Sequence, residues 1–331
     1  MLYCGRGLIR EGATLMAFKV INTESFLIEP ARSHLETNDC EVIENHLVEI
    51  TEDEFCEAIR GIEGVVSGGE LYTPRVFEAA DKLKVIARIG AGYDKIDLDA
   101  ATKHGVWVCN TPGVNRHAVA DLALALILNV ARGVPTMMNE MKAGKWRAIT
   151  GMELSTATVG VVGTGWIGRE MVKRLVGCGS TVLVYDVVQD AEFAEENGCE
   201  YVPLDDLLSR SDIVTLHCAL TDESRGMMDA RRLALMKPTA YLVNTSRPEV
   251  IDKDMLIDAL KTGVIAGAGI DVHDPHPAAP DDPLVHLDNV IATPWCAGYT
   301  HDAVMAMCMG ACEEVVRVLH GEAPFWPVNK L

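Results

Sequence analysis

Residues 158–168 read Thr-Val-Gly-Val-Val-Gly-Thr-Gly-Trp-Ile-Gly, and a helical pattern, Arg169-Glu-Met-Val-Lys-Arg-Leu-Val-Gly, follows at once. The apolar, β-branched run predicts a buried strand that turns directly into a helix. Its glycines fall in a G-x-G-x-x-G spacing at Gly163, Gly165 and Gly168. The first permits a tight turn, the second lets backbone approach a pyrophosphate, and the third lets the helix pack closely on the strand. The helix N-terminus then faces the phosphates with unpaired N–H groups. The next strand, Thr181–Tyr185, leads into Asp186, placed to accept hydrogen bonds from ribose hydroxyls. Val187 and Val188 follow with no adjacent arginine for a 2′-phosphate, which favours NAD over NADP.

Around this unit, short Val- and Ile-rich runs alternate with helical patterns. Lys19–Asn22, Cys40–Glu44, Val65–Gly68, Val85–Ile89 and Val106–Cys109 form one series of predicted strands. A second series comprises Thr158–Val162, Thr181–Tyr185, Ile213–His217, Tyr241–Asn244, Ala266–Ile270 and Val290–Thr293. Runs of this kind, ending in Gly or Asn, suit parallel strands buried on both faces, and the alternation predicts doubly wound α/β sheets. A last helix, about Ala303 to Leu319, comes after the second sheet is complete and is expected to return to the first domain, leaving a cleft between two lobes.

The chain has 331 residues, enough for two domains. It carries 29 Lys+Arg and 48 Asp+Glu, a net charge of −19, which repels nucleic acid and anionic membrane surfaces. Ten scattered cysteines without C-x-x-C pairs suit reduced thiols in a cytoplasm, and no metal-binding motif stands out. Cys308 and Cys312, four apart on the last helix, read as packed core. The longest apolar stretch, Ala118 to Ala131, is too short to cross a bilayer. Residues 1–15 show no period and read as a disordered extension, or as preceding a true start at Met16.

From about Phe18 to Asn329 the chain resembles the D-isomer-specific 2-hydroxyacid dehydrogenases. The motifs that carry the resemblance are ARIGAGYDKID (87–97), NTPGVNRHAVAD (110–121), GVVGTGWIG (160–168), SDIVTLHCALT (211–221), MKPTAYLVNTSRPEVID (236–252), GAGIDV (267–272) and PVN (327–329). The resemblance implies a Rossmann NAD domain, residues 111–297, inserted in a flavodoxin-like substrate domain, residues 16–110 and 298–331. It also implies a homodimer formed through the long helix after the TPG turn, about Arg116 to Arg132. Within the motifs, Trp166, Ile167, His217 and Thr245 join the cofactor set, and Asp271 matches the acid that contacts the nicotinamide carboxamide. Arg247 matches the arginine that holds the substrate carboxylate and polarises the 2-oxo group, a task suited to a planar guanidinium fork. Gly90, Ala91 and Gly92 match a loop whose backbone N–H groups cup that carboxylate.

The chain departs from the family at its acid–base pair. The family's Glu aligns with His276, and its proton-transferring His aligns with Trp295. An indole N–H donates but does not titrate, so Trp295 is no general acid. His276 becomes the leading proton-transfer group, with His117 and Tyr299 behind it. The sequence therefore points to an NAD-dependent oxidoreductase acting on a small 2-hydroxy or 2-oxo acid with a non-standard proton donor. Two other readings remain beside it: an NAD(H)-binding module without turnover, serving redox sensing or partner binding, and an NAD-dependent enzyme of different reaction.

Overall fold

The computed structural model describes residues 17–24, 27–45 and 50–331, so the expected extension at residues 1–15 lies outside the described residues. The chain divides into two compact units, one running to Pro112 and resuming at Met305–Leu331, the other comprising Gly113–Val304.

In the first unit the strands are β1 (Phe18–Asn22), β2 (Cys40–Glu44), β3 (Gly64–Ser67), β4 (Val85–Arg88) and β5 (Trp107–Cys109). Helices α1 (Ala31–Thr37), α2 (Glu52–Ala58), α3 (Pro74–Ala79) and α4 (Leu98–Lys103) alternate with them. The described strands pair in parallel in the order β2-β1-β3-β4-β5, the flavodoxin-like winding. Local chemistry sets the helix starts: Thr51 and Glu54 form a reciprocal capping box at α2, and Asp97 caps α4. Phe55, Ile59, Tyr72, Phe77 and Ile86 are almost wholly buried between sheet and helices. Each such side chain contributes about 1.5–3 kcal/mol relative to exposure.

The second unit opens with α5 (Arg116–Arg132) and α6 (Val134–Lys142). There follow β6 (Thr158–Val162), α7 (Trp166–Gly177), β7 (Thr181–Tyr185), α8 (Ala191–Asn197), β8 (Cys199–Tyr201), α9 (Leu204–Arg210) and β9 (Ile213–Leu216). The unit continues with α10 (Ala230–Leu233), β10 (Tyr241–Asn244), α11 (Lys253–Thr262), β11 (Gly267–Ile270) and β12 (Val290–Ala292), and the chain's last helix is α12 (His301–Leu319). Seven described strands, all parallel, lie in the order β12-β11-β10-β9-β6-β7-β8. Read from β8, this is the Rossmann order with one strand added. One apolar cluster includes Leu207, Leu242 and Leu256, and another includes Ile127, Val159 and Met171.

Two elements went unread in the sequence. Strand β8 is three residues long, lies at the sheet edge and is only partly buried, so it has no apolar run to announce it. Helix α6 buries none of its residues, and it begins after Gly133 turns the chain left-handed at φ 62° and ends α5. Among the described residues no single helix is long and apolar enough to cross a membrane. Helices α5 and α6 pass that test only as a pair, bent by 65°, and α5 buries Ala120, Ala123 and Ile127 within its unit.

Candidate active site

Strand register in the second unit assembles the site. Val162 pairs with Leu216, Leu216 with Asn244, Asn244 with Ile270, and Ile270 with Ala292. The residues that follow, Gly163, His217, Thr245, Asp271 and Thr293, therefore stand in one row at the carboxyl edge of the sheet. The winding reverses between β6 and β9, and it is at such a switch point that open α/β sheets bind ligands.

At the switch point backbone fills the space where side chains would be. Gly163 has φ +95°, and a Cβ there would meet the Cys218 nitrogen at 2.6 Å. A Cβ on Gly168 would lie 1.8 Å from the Gly163 carbonyl oxygen, so only glycine lets α7 start this close to β6. Gly165, in contrast, faces open space and is the N-cap of α7 without a side-chain cap. The first amides of a 12-residue helix are thus left for a ligand, and its first turn carries no acidic residue to repel one. An open cavity of about 530 Å³ adjoins, lined by Thr164, Gly165, Arg169, Asp186, Val188, Gln189, Asp190 and Ala191. Asp186 accepts from the Thr164 N–H at 2.6 Å and from the Val188 N–H at 3.1 Å. Arg169, on the same wall, is tied to Asp190 at 2.7 Å and lies over the Phe193 ring. Glycine cradle, uncapped helix start and acid at the end of β7 fit a dinucleotide. Trp166 is exposed beside them, and its ring would be struck by a Cβ on Gly113.

His217 sits at the end of β9 with Nε2 2.9 Å from Thr215 Oγ1 and Nδ1 3.4 Å from Thr245 Oγ1. Desolvation pushes its pKa down to about 3, against 6.5 for an ordinary imidazole. It is a neutral hydrogen-bonding group at working pH. The unfolded chain binds a proton here below about pH 6.5, whereas the folded chain resists it until about pH 3. Stability should therefore fall as pH drops through that window, by up to about 1.4 kcal/mol per pH unit. Urea unfolding between pH 7 and pH 4 should show His217→Gln with a shallower acid loss than the wild type.

Asp271, fully buried, clamps the loop that follows β12. Its Oδ1 accepts from Thr293 Oγ1 at 2.7 Å and from the Cys296 N–H at 2.9 Å, and its Oδ2 accepts from the Ala297 N–H at 3.0 Å. Between these points Trp295 is held at φ 55°, left-handed for a residue with a bulky side chain. Such a conformation stores about 1–3 kcal/mol and persists where neighbours over-determine it. The Trp295 N–H donates to the Asp271 carbonyl oxygen at 2.8 Å.

The indole gathers the two remaining polar groups. The Arg247 guanidinium lies 5.8 Å from its ring centre, and the His276 imidazole is 4.9 Å away, centre to centre, tilted by 56°. Asn244 shapes the turn that delivers Arg247: its Nδ2 donates to the Arg247 carbonyl oxygen and its Oδ1 accepts from Ser246. His117 points elsewhere, 3.2 Å from Glu170 on α7, and Tyr299 is exposed. In the first unit, Gly90 has φ +111°, and its N–H already donates to Thr111 Oγ1 at 2.8 Å.

Residues 124–297 match the family model for the D-isomer specific 2-hydroxyacid dehydrogenase, NAD binding domain. The chain is 43% identical over 261 residues to a glyoxylate reductase of Korarchaeum cryptofilum, covering 77% of this chain and 79% of that one. It is 40% identical over 287 residues to a glyoxylate reductase of Thermococcus litoralis, covering 83% and 86%. The chain belongs to the D-isomer-specific 2-hydroxyacid dehydrogenase family. A D-lactate dehydrogenase of Aquifex aeolicus, solved with NAD and lactic acid, superposes on this dehydrogenase with a TM-score of 0.82 at 28% identity, covering 92% of this chain and 96% of that one. The dehydrogenase is an NAD-dependent oxidoreductase. Motif reading missed the supports of its site, Thr293, Cys296 and Asn244, because a backbone N–H or a turn-forming amide leaves no sequence pattern.

Proposed function

We propose that this dehydrogenase reduces a small 2-oxo acid of the glyoxylate class, with Arg247 as the carboxylate clamp and His276 as the proton donor. The Arg247–Trp295–His276 array carries the proposal, since it gathers a guanidinium fork and an imidazole on one indole. Bound NADH supplies the hydride. Gly163, Gly165, Trp166, Ile167 and Gly168 would hold its pyrophosphate, Asp186 its ribose, and His217, Thr245 and Asp271 the nicotinamide side. Arg247 would grip the carboxylate and polarise the oxo group, and an imidazolium N–H of His276 would deliver the proton to the oxo oxygen. Being exposed, His276 recovers that proton from water. Trp295 walls the pocket and, where the family has histidine, keeps position 295 free of charge at every working pH. Because the Gly90 N–H is engaged, Ala91 and Gly92 are the remaining backbone donors proposed for the carboxylate.

The test is NADH oxidation with a panel of 2-oxo acids beginning with glyoxylate. His276→Gln should lower kcat by about 10²–10⁴. The pH–rate profiles of the wild type and the variant should differ in shape. Trp295 in the family's histidine position favours a second reading, an NAD(H)-binding protein without turnover. Tight NADH binding with no oxidation across the panel would select it.

We further propose a homodimer through the NAD domain. Met138 and Met141 of α6 are exposed, and Trp146 is 91% exposed, an apolar surface typical of an interface. Sedimentation should give a dimer, and Trp146→Ser should weaken it. A cytoplasmic site is proposed on the nine described cysteines, all free thiols.

A further inference from the structure

Behind the strand end that carries Arg247, the second unit has a partly open cavity of about 80 Å³. Its walls are largely apolar, with Ile251, Leu256, Val272 and Leu284 among them, and its polar members include Glu249, Lys253, His273 and Asp282. Lys253 turns two of its three donors elsewhere: its Nζ donates to Asp282 Oδ2 at 2.7 Å and to the Asp274 carbonyl oxygen at 2.8 Å. Asp282 is thereby neutralised. Glu249 is not, for its buried Oε2 meets no donor and no basic side chain pairs with it among the described residues.

His273 is 6% exposed, and its buried Nδ1 also meets no partner. Its other nitrogen settles what Nδ1 is. Nε2 lies 2.9 Å from the Thr293 carbonyl oxygen, which can only accept, so Nε2 carries the hydrogen. In the neutral ring Nδ1 is then a lone-pair acceptor. Two residues lining the cavity thus carry buried atoms without a partner, Glu249 Oε2, a carboxylate oxygen, and His273 Nδ1, an acceptor when the ring is neutral. Leaving a buried acceptor unmet costs about 1–3 kcal/mol, and more when it is charged. A molecule that answers all of this brings several N–H donors, one positive charge and a short alkyl group.

We propose that this cavity binds a small primary ammonium, its N–H groups donating to Glu249 Oε2 and His273 Nδ1 and its alkyl part packing on Ile251, Leu256 and Val272. The site is distinct from the Arg247 clamp and does not depend on which acid the enzyme reduces. It borders the segment that bears His276, because Asp274 and Lys253 form part of its rim.

The full-length protein would be titrated with ethylammonium chloride by calorimetry and thermal unfolding. Tetramethylammonium, of equal charge but without N–H donors, and sodium serve as controls at constant ionic strength. A saturable rise in Tm with ethylammonium alone is expected, and Glu249→Gln should weaken its binding at least about tenfold. Equal shifts from ethylammonium and tetramethylammonium would overturn the proposal using wild-type protein only. So would the absence of any saturable shift, the result if water alone fills the cavity, or binding by Glu249→Gln as tight as that of the wild type.

Discussion

Replacing Arg247 with alanine is expected to lower kcat/KM for 2-oxo acid reduction by about 10²–10⁴ while leaving NADH affinity within about threefold. The magnitude follows from losing two charge-assisted hydrogen bonds to a carboxylate, each worth about 1.5–3 kcal/mol. NADH affinity should hold because the glycine loop and Asp186 lie at the ends of β6 and β7, whereas Arg247 follows β10. Arg247→Lys should fall between the two: it keeps the charge but loses both the fork and the flat surface that meets the Trp295 ring. Steady-state kinetics paired with NADH fluorescence titration would check this. Retention of activity within about tenfold in the alanine variant would remove Arg247 from the clamp.

Replacing Asp271 with alanine should produce the largest loss of stability, at least about 3–5 kcal/mol by urea unfolding, a sizeable part of a typical folding free energy. Three donors, from Thr293, Cys296 and Ala297, would be left without their acceptor in a buried place. The effect should reach the site as well, because the left-handed Trp295 is held between those donors. Cys296 offers a separate readout. Burial and then the Asp271 carboxylate hold its thiol pKa above the ordinary range. In the alanine variant the thiol should therefore be alkylated faster by iodoacetamide at neutral pH. Unchanged unfolding with unchanged Cys296 reactivity would show that Asp271 does not clamp the loop.

The sequence made the fold legible where its signals were redundant. Strands Thr158–Val162, Thr181–Tyr185 and Tyr241–Asn244 are found within their expected bounds, because apolar runs closed by Gly, Asp or Asn leave little choice. Signals failed where burial is slight, as in β8, or where a helix has no buried face, as in α6. The site was legible as a list of motif positions. That Arg247 and His276 both meet the Trp295 ring is a tertiary fact, produced by register across five strands and by the Asp271 clamp. No spacing in the chain states it. The cavity around Glu249 and His273 was equally hidden, since it depends on which nitrogen of one imidazole faces one carbonyl.

The discontinuity of the first unit bears on how the molecule is made. Its five strands lie before Pro112, yet Asn329 Oδ1 accepts from the Val108 N–H at 2.9 Å, and Glu314 accepts from the backbone of Phe325 and Trp326. Those partners follow the whole second unit in the chain. The second unit, continuous from Gly113 to Val304, has all its strands ahead of them and is free to fold first. The chain order thus lets the cofactor-binding half take shape before the N-terminal sheet receives its closing tail.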